Sequence, residues 1–262
     1  MCILNSVGTN ATNNRNDVKT IQIILNLNIA RLPKIKPLIE DGKIGKSTIT
    51  AIEEFQRFIV KKPKPDGRVD IKGTTLRLLR NGLPAGFSEA KLRGIMIHAT
   101  LPNIKKYFSA LNLGMITNGI NSSLRMAHFL AQLGHESGEL MYSEEISSGE
   151  AYEGRIKLGN TDVGDGKLFK GRGLIQLTGR ANYQKYGDAR GKDYVSGDNP
   201  KLLATDTNVS VDAACWFWVK NGLNAAADAD DLLKITMRIN GGTNGLDERK
   251  RILAREKYFL VR

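Results

Sequence analysis

Residues 124–140 read LRMAHFLAQLGHESGEL. Wound at about 100° per residue, Met126, Leu130 and Leu133 share a face, with Ala127 on one flank and Phe129 on the other. His128, Gln132 and His135 fall on the opposite, polar side. This pattern predicts a single α-helix across the stretch, packed along one face. Glu136 projects about 20° from the Phe129 direction, at the border of the apolar face. A carboxyl at such a border loses part of its water, which favours the protonated form that a general acid needs.

The same stretch raises a metal reading. A zinc helix of the His-Glu-x-x-His type needs two histidines four residues apart. Here His135-Glu136-Ser137-Gly138-Glu139 lacks the second histidine. His128 and His135 share a face, but two turns of helix separate them by roughly 10 Å, too far for one zinc. His98 is the third and last histidine. His135 is therefore read as a structural hydrogen-bonding side chain, and no metal or organic cofactor is expected. Taken alone, Glu136 would be an ordinary helix glutamate, so its surroundings must decide.

Downstream lie further acids, Glu139, Glu144, Glu145, Glu150 and Glu153, then KGRGLIQLTGRANY at residues 170–183. Residues 147–172 are rich in Gly, Asp and Lys without periodicity, and a loop of that length in a compact domain is functional or disordered. Inverting hydrolysis of a glycosidic bond needs one protonated carboxyl and one carboxylate base about 6.5–9.5 Å apart, with polar groups that orient the water between them. A helix-end glutamate, an acidic loop and a strand-like Gln/Thr segment supply those parts. Spacing alone does not choose among the acids.

Helices are expected near residues 89–99, 101–111, 122–140, 178–186, 207–220, 228–239 and 246–258, giving a mainly α chain. Trp216 and Trp218, two residues apart, cannot share one helix face: one is expected to pack in the core, with a sugar-stacking surface as the alternative for either. The terminal LDERKRILAREKYFLVR is read as a packed helix with a solvated basic face. The 262 residues fit two domains, and 41% apolar with 25% charged content is ordinary for a globular chain. No window approaches the 18 uninterrupted apolar residues of a membrane span, so no stable membrane anchor is expected. The N-terminus has no basic segment leading into a long apolar one, so no signal peptide is expected. Cys2 and Cys215 are read as free thiols, as synthesis in a reducing cytosol would leave them. The formal charge of +12 favours anionic partners. No basic stripe interleaved with aromatics is present, and nucleic acid is not an expected partner.

The N-terminal 80 residues are patterned differently. DVKTIQIILNLNI, residues 17–29, predicts a helix with Asp17 as its N-cap. DGKIGKSTITAIEEFQRFIV, residues 41–60, predicts a tight Asp-Gly turn and a helix capped by Ser47 or Thr48. A second turn, PDGRVD at residues 65–70, precedes the short helix TTLRLLR. NGLPAGFSEA, residues 81–90, reads as a linker. These features divide the chain into residues 1–80, a linker at 81–90, and a second domain at 91–262.

Two resemblances follow from these motifs. Gln22-Ile23-Ile24-Leu25-Asn26, then Asp41-Gly42-Lys43-Ile44-Gly45-Lys46-Ser47-Thr48, then Phe55-Gln56 resemble the bacterial peptidoglycan-binding domain over about 60 residues. The second turn imitates the first but lacks its second glycine. Residues from about 122 to 258 resemble glycoside hydrolase family 19, meaning chitinases and, nearer still, phage endolysins that act as lysozymes. The motifs are Phe129-Leu130-Ala131-Gln132 with His135-Glu136-Ser137-Gly138, Gly171-Arg172-Gly173-Leu174-Ile175-Gln176-Leu177-Thr178, Asn182-Tyr183, Trp216-Phe217-Trp218, and Ile239-Asn240-Gly241-Gly242.

The resemblance implies a lysozyme-like, mostly helical catalytic domain after a small helical wall-binding bundle. It implies that Glu136 is the general acid and that Thr178 holds the attacking water. Gln176, Asn182, Tyr183 and Asn240 fall at substrate-contacting or site-supporting positions. Two acids match the base: Glu145, in Glu-Glu-Ile-Ser-Ser-Gly, which is preferred, and Glu153, in Tyr-Glu-Gly-Arg. The expected activity is that of an endolysin cutting the β-1,4 bond between N-acetylmuramic acid and N-acetylglucosamine. A chitinase and a non-catalytic wall-binding protein are the alternatives. The expected partner is bacterial peptidoglycan and the expected state a monomer, held in the host cytoplasm until its release to the wall.

Overall fold

The computed structural model describes residues 1–261. The chain forms two compact units, one of Met1–Ile97 with the residues from Leu253 onward, the other of His98–Ile252. Both are helical. The only sheet among the described residues is a two-residue ladder, β1 (Val7–Gly8) antiparallel to β2 (Arg68–Val69).

The first unit is built on α1 (Arg15–Leu27), α2 (Lys46–Phe55), α3 (Thr74–Asn81) and α4 (Glu89–Ile95). Val18, Ile21, Ile24, Leu25, Ile52, Phe55 and Leu79 fill its core. α1 starts earlier than its apolar pattern suggested, and Asn14 caps it by accepting the Asn16 amide at 3.1 Å. Asp17 is instead buried, where its carboxylate accepts the amides of Leu4 (3.0 Å) and Asn5 (2.9 Å) and pins the N-terminus. Gly45, not Ser47 or Thr48, precedes α2, because Thr48 is turned inward.

One hydrogen-bonded device occurs twice in this unit. Gln22 Nε2 reaches Asp41 Oδ1 (3.1 Å), the Lys43 carbonyl (3.1 Å) and Thr48 Oγ1 (3.3 Å), and its Oε1 accepts the Gly42 amide at 2.9 Å. Gln56 Nε2 reaches Asp66 Oδ1 (2.6 Å), the Arg68 carbonyl (2.8 Å) and Thr75 Oγ1 (3.3 Å), and its Oε1 accepts the Gly67 amide at 3.0 Å. Each buried glutamine thus holds one Asp-Gly turn against the helix that follows it. The missing second glycine of the second turn does not disturb the device, since only the first glycine needs positive φ: 72° at Gly42 and 64° at Gly67.

The segment read as a linker lies inside the first unit, where Leu83 is buried. So does the end of the last helix, α13 (Leu246–Leu260; α5 to α12 precede it and are given below). Arg80 donates to the carbonyls of Tyr258 (3.1 Å) and Lys257 (3.3 Å), supplying partners to the helix's last turn.

The second unit contains α5 (Leu101–Thr117), α6 (Ser123–Glu136), α7 (Asp165–Leu168), α8 (Arg180–Arg190), α9 (Leu202–Thr205), α10 (Thr207–Lys220), α11 (Leu223–Asp228) and α12 (Leu232–Asn240). α10 packs on α5, and α11 packs on α6. α6 is the central helix, and Ala127 through Gly134 are buried on every side of it. The side read as polar is therefore internal: His128 is fully buried, with Nε2 2.7 Å from Asp230 Oδ1. Trp216 and Trp218 are both buried, and Trp218 meets Phe129 edge-on at 5.3 Å. Among the described residues no helix is long and apolar enough to cross a membrane.

Replacing Gln56 by Ala leaves the buried Gly67 amide and its neighbours without partners. A loss of about 2–4 kcal/mol is expected, read as a lower unfolding midpoint and faster amide exchange at Gly67. Unchanged exchange there would contradict the bracing role.

Candidate active site

α6 ends at Glu136, four residues short of the expected helix end. Gly138, Glu139 and Leu140 all take positive φ (58°, 58° and 66°), so the chain turns sharply after the acid. For the two non-glycine residues this costs on the order of 1–2 kcal/mol each. Local bonds offset it. Ser137 Oγ donates to the Leu133 carbonyl (2.6 Å) and accepts the Leu140 amide (2.9 Å), and the buried Glu139 carboxylate accepts the His98 amide at 2.7 Å.

The Glu136 side chain is 18% exposed and pairs with the guanidinium of Arg249, which is 1% exposed. Arg249 also bonds Oε1 of the buried Gln132. A hydrogen bond from the Arg249 guanidinium, not apolar contact, thus holds Glu136 at the border of the apolar face. One turn of α13 lies against the end of α6, with His135 Nδ1 3.0 Å from Glu248 Oε2. Gly245 completes the contact: a Cβ there would lie 2.3 Å from the His135 ring, and its φ is +71°.

A second cluster forms where residues 143–145 and 171–178 meet. Glu144 and Arg172 form an antiparallel bridge, as do Arg172 and Leu177, so the Gln/Thr segment is the tight hairpin its strand-like pattern suggested. The Glu145 amide donates to the Gly171 carbonyl at 3.0 Å. A methyl group on Gly171 would lie 3.0 Å from Gln176 Oε1, 3.1 Å from Glu145 Oε2 and 3.3 Å from Thr178 Oγ1. Three predicted side chains therefore converge beside Gly171, where any side chain would crowd them. Glu145 is oriented by Tyr152 (O–H to Oε2, 2.9 Å) and Ser147 (Oγ to Oε1, 3.1 Å). Burial, then the bond to Glu145, pushes the Tyr152 phenol above its ordinary pKa, so it remains a donor. Thr178 spends its own hydrogen on the Gln176 carbonyl (2.9 Å), leaving oxygen lone pairs to accept one from water.

Glu153 is placed differently. Its two oxygens accept the amides of Gly164 (2.6 Å) and Gly166 (2.7 Å), so it braces the entry to α7. The long loop around it is tied down. Asp165 bonds Arg180 (Nε to Oδ2, 2.8 Å), which holds its carboxyl below the usual aspartate range. Asn160 bridges the Tyr152 carbonyl and the Arg180 amide at 2.9 Å each.

Residues 122–233 match the sequence profile described as "Chitinase class I". A Haemophilus influenzae protein named "Glycosyl hydrolase family 19 domain-containing protein" is 32% identical over 193 residues, 62% of this chain and 91% of that protein. The chain belongs to glycosyl hydrolase family 19. Acidic endochitinase SP2 of Beta vulgaris is 39% identical over 98 residues, 37% of this chain. The match spans only 33% of that enzyme's length. Chitinase C from Streptomyces griseus HUT6037 superposes with a TM-score of 0.55 at 24% identity, covering 66% of this chain and 91% of that one, which shows a shared fold.

Within this family 19 chain, Asn182 Nδ2 donates to the Thr178 carbonyl at 2.7 Å and so sits beside the cluster. Tyr183 does not face a ligand: it is fully buried, packs edge-on against Phe169 at 5.3 Å, and donates its hydroxyl to the Lys170 carbonyl at 2.7 Å. Asn240 uses both ends of its amide in its own loop, donating to the Asn244 carbonyl and accepting the Gly242 amide, each at 2.8 Å. That loop leads to Gly245 and His135, so Asn240 supports the Glu136 side of the site.

Arg249, Tyr152 and Gly171 were not singled out from sequence for these roles. Arg249 lies in the helix read with a solvated basic face, although Leu246, Ile252 and Leu253 all project within about 60° of it. A cation at the centre of an apolar face must be paired inside, and that signal was present.

Gly171→Ala places a methyl among the three polar atoms. Turnover is expected to fall ten- to a hundredfold while the unfolding midpoint changes little. Full activity would show that this convergence is not used.

Proposed function

We propose that the chain hydrolyses the β-1,4 bond between N-acetylmuramic acid and N-acetylglucosamine in bacterial peptidoglycan, with inversion at the anomeric carbon. The observation that carries the chemistry is the convergence of Glu145, Gln176 and Thr178 at Gly171. In this reading Glu136 protonates the leaving oxygen. Glu145 takes a proton from a water that also donates to Thr178, and that water attacks the opposite face of the sugar. Glu153 is less suited to the role because its carboxylate holds two backbone amides, Gly164 and Gly166, that shape the entry to α7. Arg249 orients Glu136 and faces the carboxylate left once the proton is given up.

Two features support peptidoglycan as the substrate: the paired Asp-Gly turns of the first unit, which carry the wall-binding resemblance, and the net charge of +12, suited to an anionic wall. A tethering module raises the local concentration of a catalytic unit on an insoluble polymer. The biological role in this reading is that of a monomeric phage endolysin that opens the host wall. The second reading is chitin, favoured by the endochitinase names of the plant proteins that match the catalytic region.

Mass spectrometry of digested peptidoglycan and of chitin oligomers tests both. New reducing N-acetylmuramic acid ends are expected from the parent protein, and Glu136→Gln should remove them almost entirely. New reducing N-acetylglucosamine ends in peptidoglycan would move the cleaved bond, and cleavage of chitin alone would select the second reading. For the base, Glu145→Gln is expected to lower turnover by about 10²-fold or more, with Glu153→Gln closer to the parent. The reverse order would exchange their roles.

A further inference from the structure

The two glutamine-braced turns of the first unit are structurally equivalent, and each borders a cavity. The first cavity, about 640 Å³, lies between residues 34–39 and 43–50. The second, about 330 Å³, is lined by Lys62, Asp66, Arg68, Asp70 and Thr75 among others. Their charges differ. Lys34, Lys36, Lys43 and Lys46 line the first against a single acid, Asp41. None of these lysines forms an ion pair among the described residues, and Lys34 lies 6.0 Å from the centre of the Phe58 ring. In the second cavity the cations are neutralised internally, Lys62 by Asp66 and Arg68 by Asp70 at 2.7 Å.

The first cavity also offers apolar surface. Ile35, Leu38 and Ile44 line it beside Ile39, which is 81% exposed. Its wall is fixed in advance: the Asn26 amide accepts the Leu38 amide at 2.7 Å and donates to the Leu38 carbonyl at 2.9 Å. A preformed groove loses less entropy on binding than a mobile loop would.

We propose that the first groove receives an anionic, methyl-bearing segment of the wall polymer, namely the free carboxylates and alanyl methyls of peptidoglycan stem peptides. The equivalent second groove is closed to anions by its own ion pairs. Duplication of the turn supplied the scaffold twice, and charge assigns binding to one copy. This rests on the wall-binding reading above and adds where, and through which chemistry, the wall is held.

The test is co-sedimentation of the full chain with purified sacculi, in a Glu136→Gln background so that the sacculi stay intact. Lys43→Glu with Lys46→Glu is expected to weaken retention at least tenfold, with the unfolding midpoint unchanged because both lysines are exposed. Lys62→Gln should bind as the parent does. Sacculi whose carboxylates have been converted to amides should lose the parent to a similar extent, and neutral chitin should not retain it. Equal retention of the double variant, or of the parent on amidated sacculi, overturns the proposal while leaving wall binding intact. Retention lost only when anionic phosphate polymers are stripped from the wall overturns it in favour of phosphate. A parent chain that does not sediment with sacculi overturns the wall-binding reading itself.

Discussion

The catalytic unit is organised by one buried cation. The Arg249 guanidinium has almost no water around it and is held by Gln132 and Glu136, one turn apart on the central helix. Taking such a charge out of water costs several kcal/mol, and a buried pair of this kind contributes little net stability. Its value is positional. The fork of the guanidinium holds both partners at once and fixes where this turn of α13 meets α6. The His135–Glu248 contact and the Cβ-less Gly245 then bring the same helix turn into contact. Under the proposed roles, Glu136 becomes an anion when it gives up its proton, and the cation it then faces is already in place.

This interaction also explains what the sequence disclosed and what it hid. Helical periodicity located most helices to within a few residues, and α10 spans the expected 207–220. Periodicity assumes that polar side chains face water. His128 and Gln132 violate that assumption, because their partners come from residues about a hundred positions away. No local pattern reports such pairing. The same blindness moved Asp17 from helix cap to anchor of the N-terminus, and of the two roles open to Tyr183, substrate-contacting or site-supporting, it did not report the burial that leaves its hydroxyl on a backbone carbonyl. The helix stop after Glu136 was partly legible, since Gly138 marks a turn. The positive φ of Glu139 and Leu140 was not, because it depends on bonds to Ser137 and His98.

The choice of base shows where sequence stops and geometry takes over. Glu145 and Glu153 lie eight residues apart in one acidic loop and match two branches of the same family resemblance. In the folded chain they have different occupations. Glu153 closes a loop by accepting two glycine amides, one on each oxygen. Glu145 is held by two hydroxyl donors and has an oxygen close beside Gly171. Glu145 also accepts one donor on each oxygen, but both donors are side-chain hydroxyls that can rotate away, whereas the donors to Glu153 are backbone amides fixed by the loop.

Both units reach rigidity by similar means. Gln22, Gln56 and Gln132 are each buried, and each uses its amide to fix a segment remote in sequence: two Asp-Gly turns and the guanidinium beside the proposed acid. In Gln22 and Gln56 the amide donates and accepts at once, and in Gln132 its oxygen accepts, in each case without a charge that must be desolvated. Glycines stand opposite these fixtures where a side chain would collide, as at Gly245 against His135 and Gly166 against Glu153. Gly171 belongs to the same scheme. There the missing side chain lets Glu145, Gln176 and Thr178 approach one another closely beside the backbone.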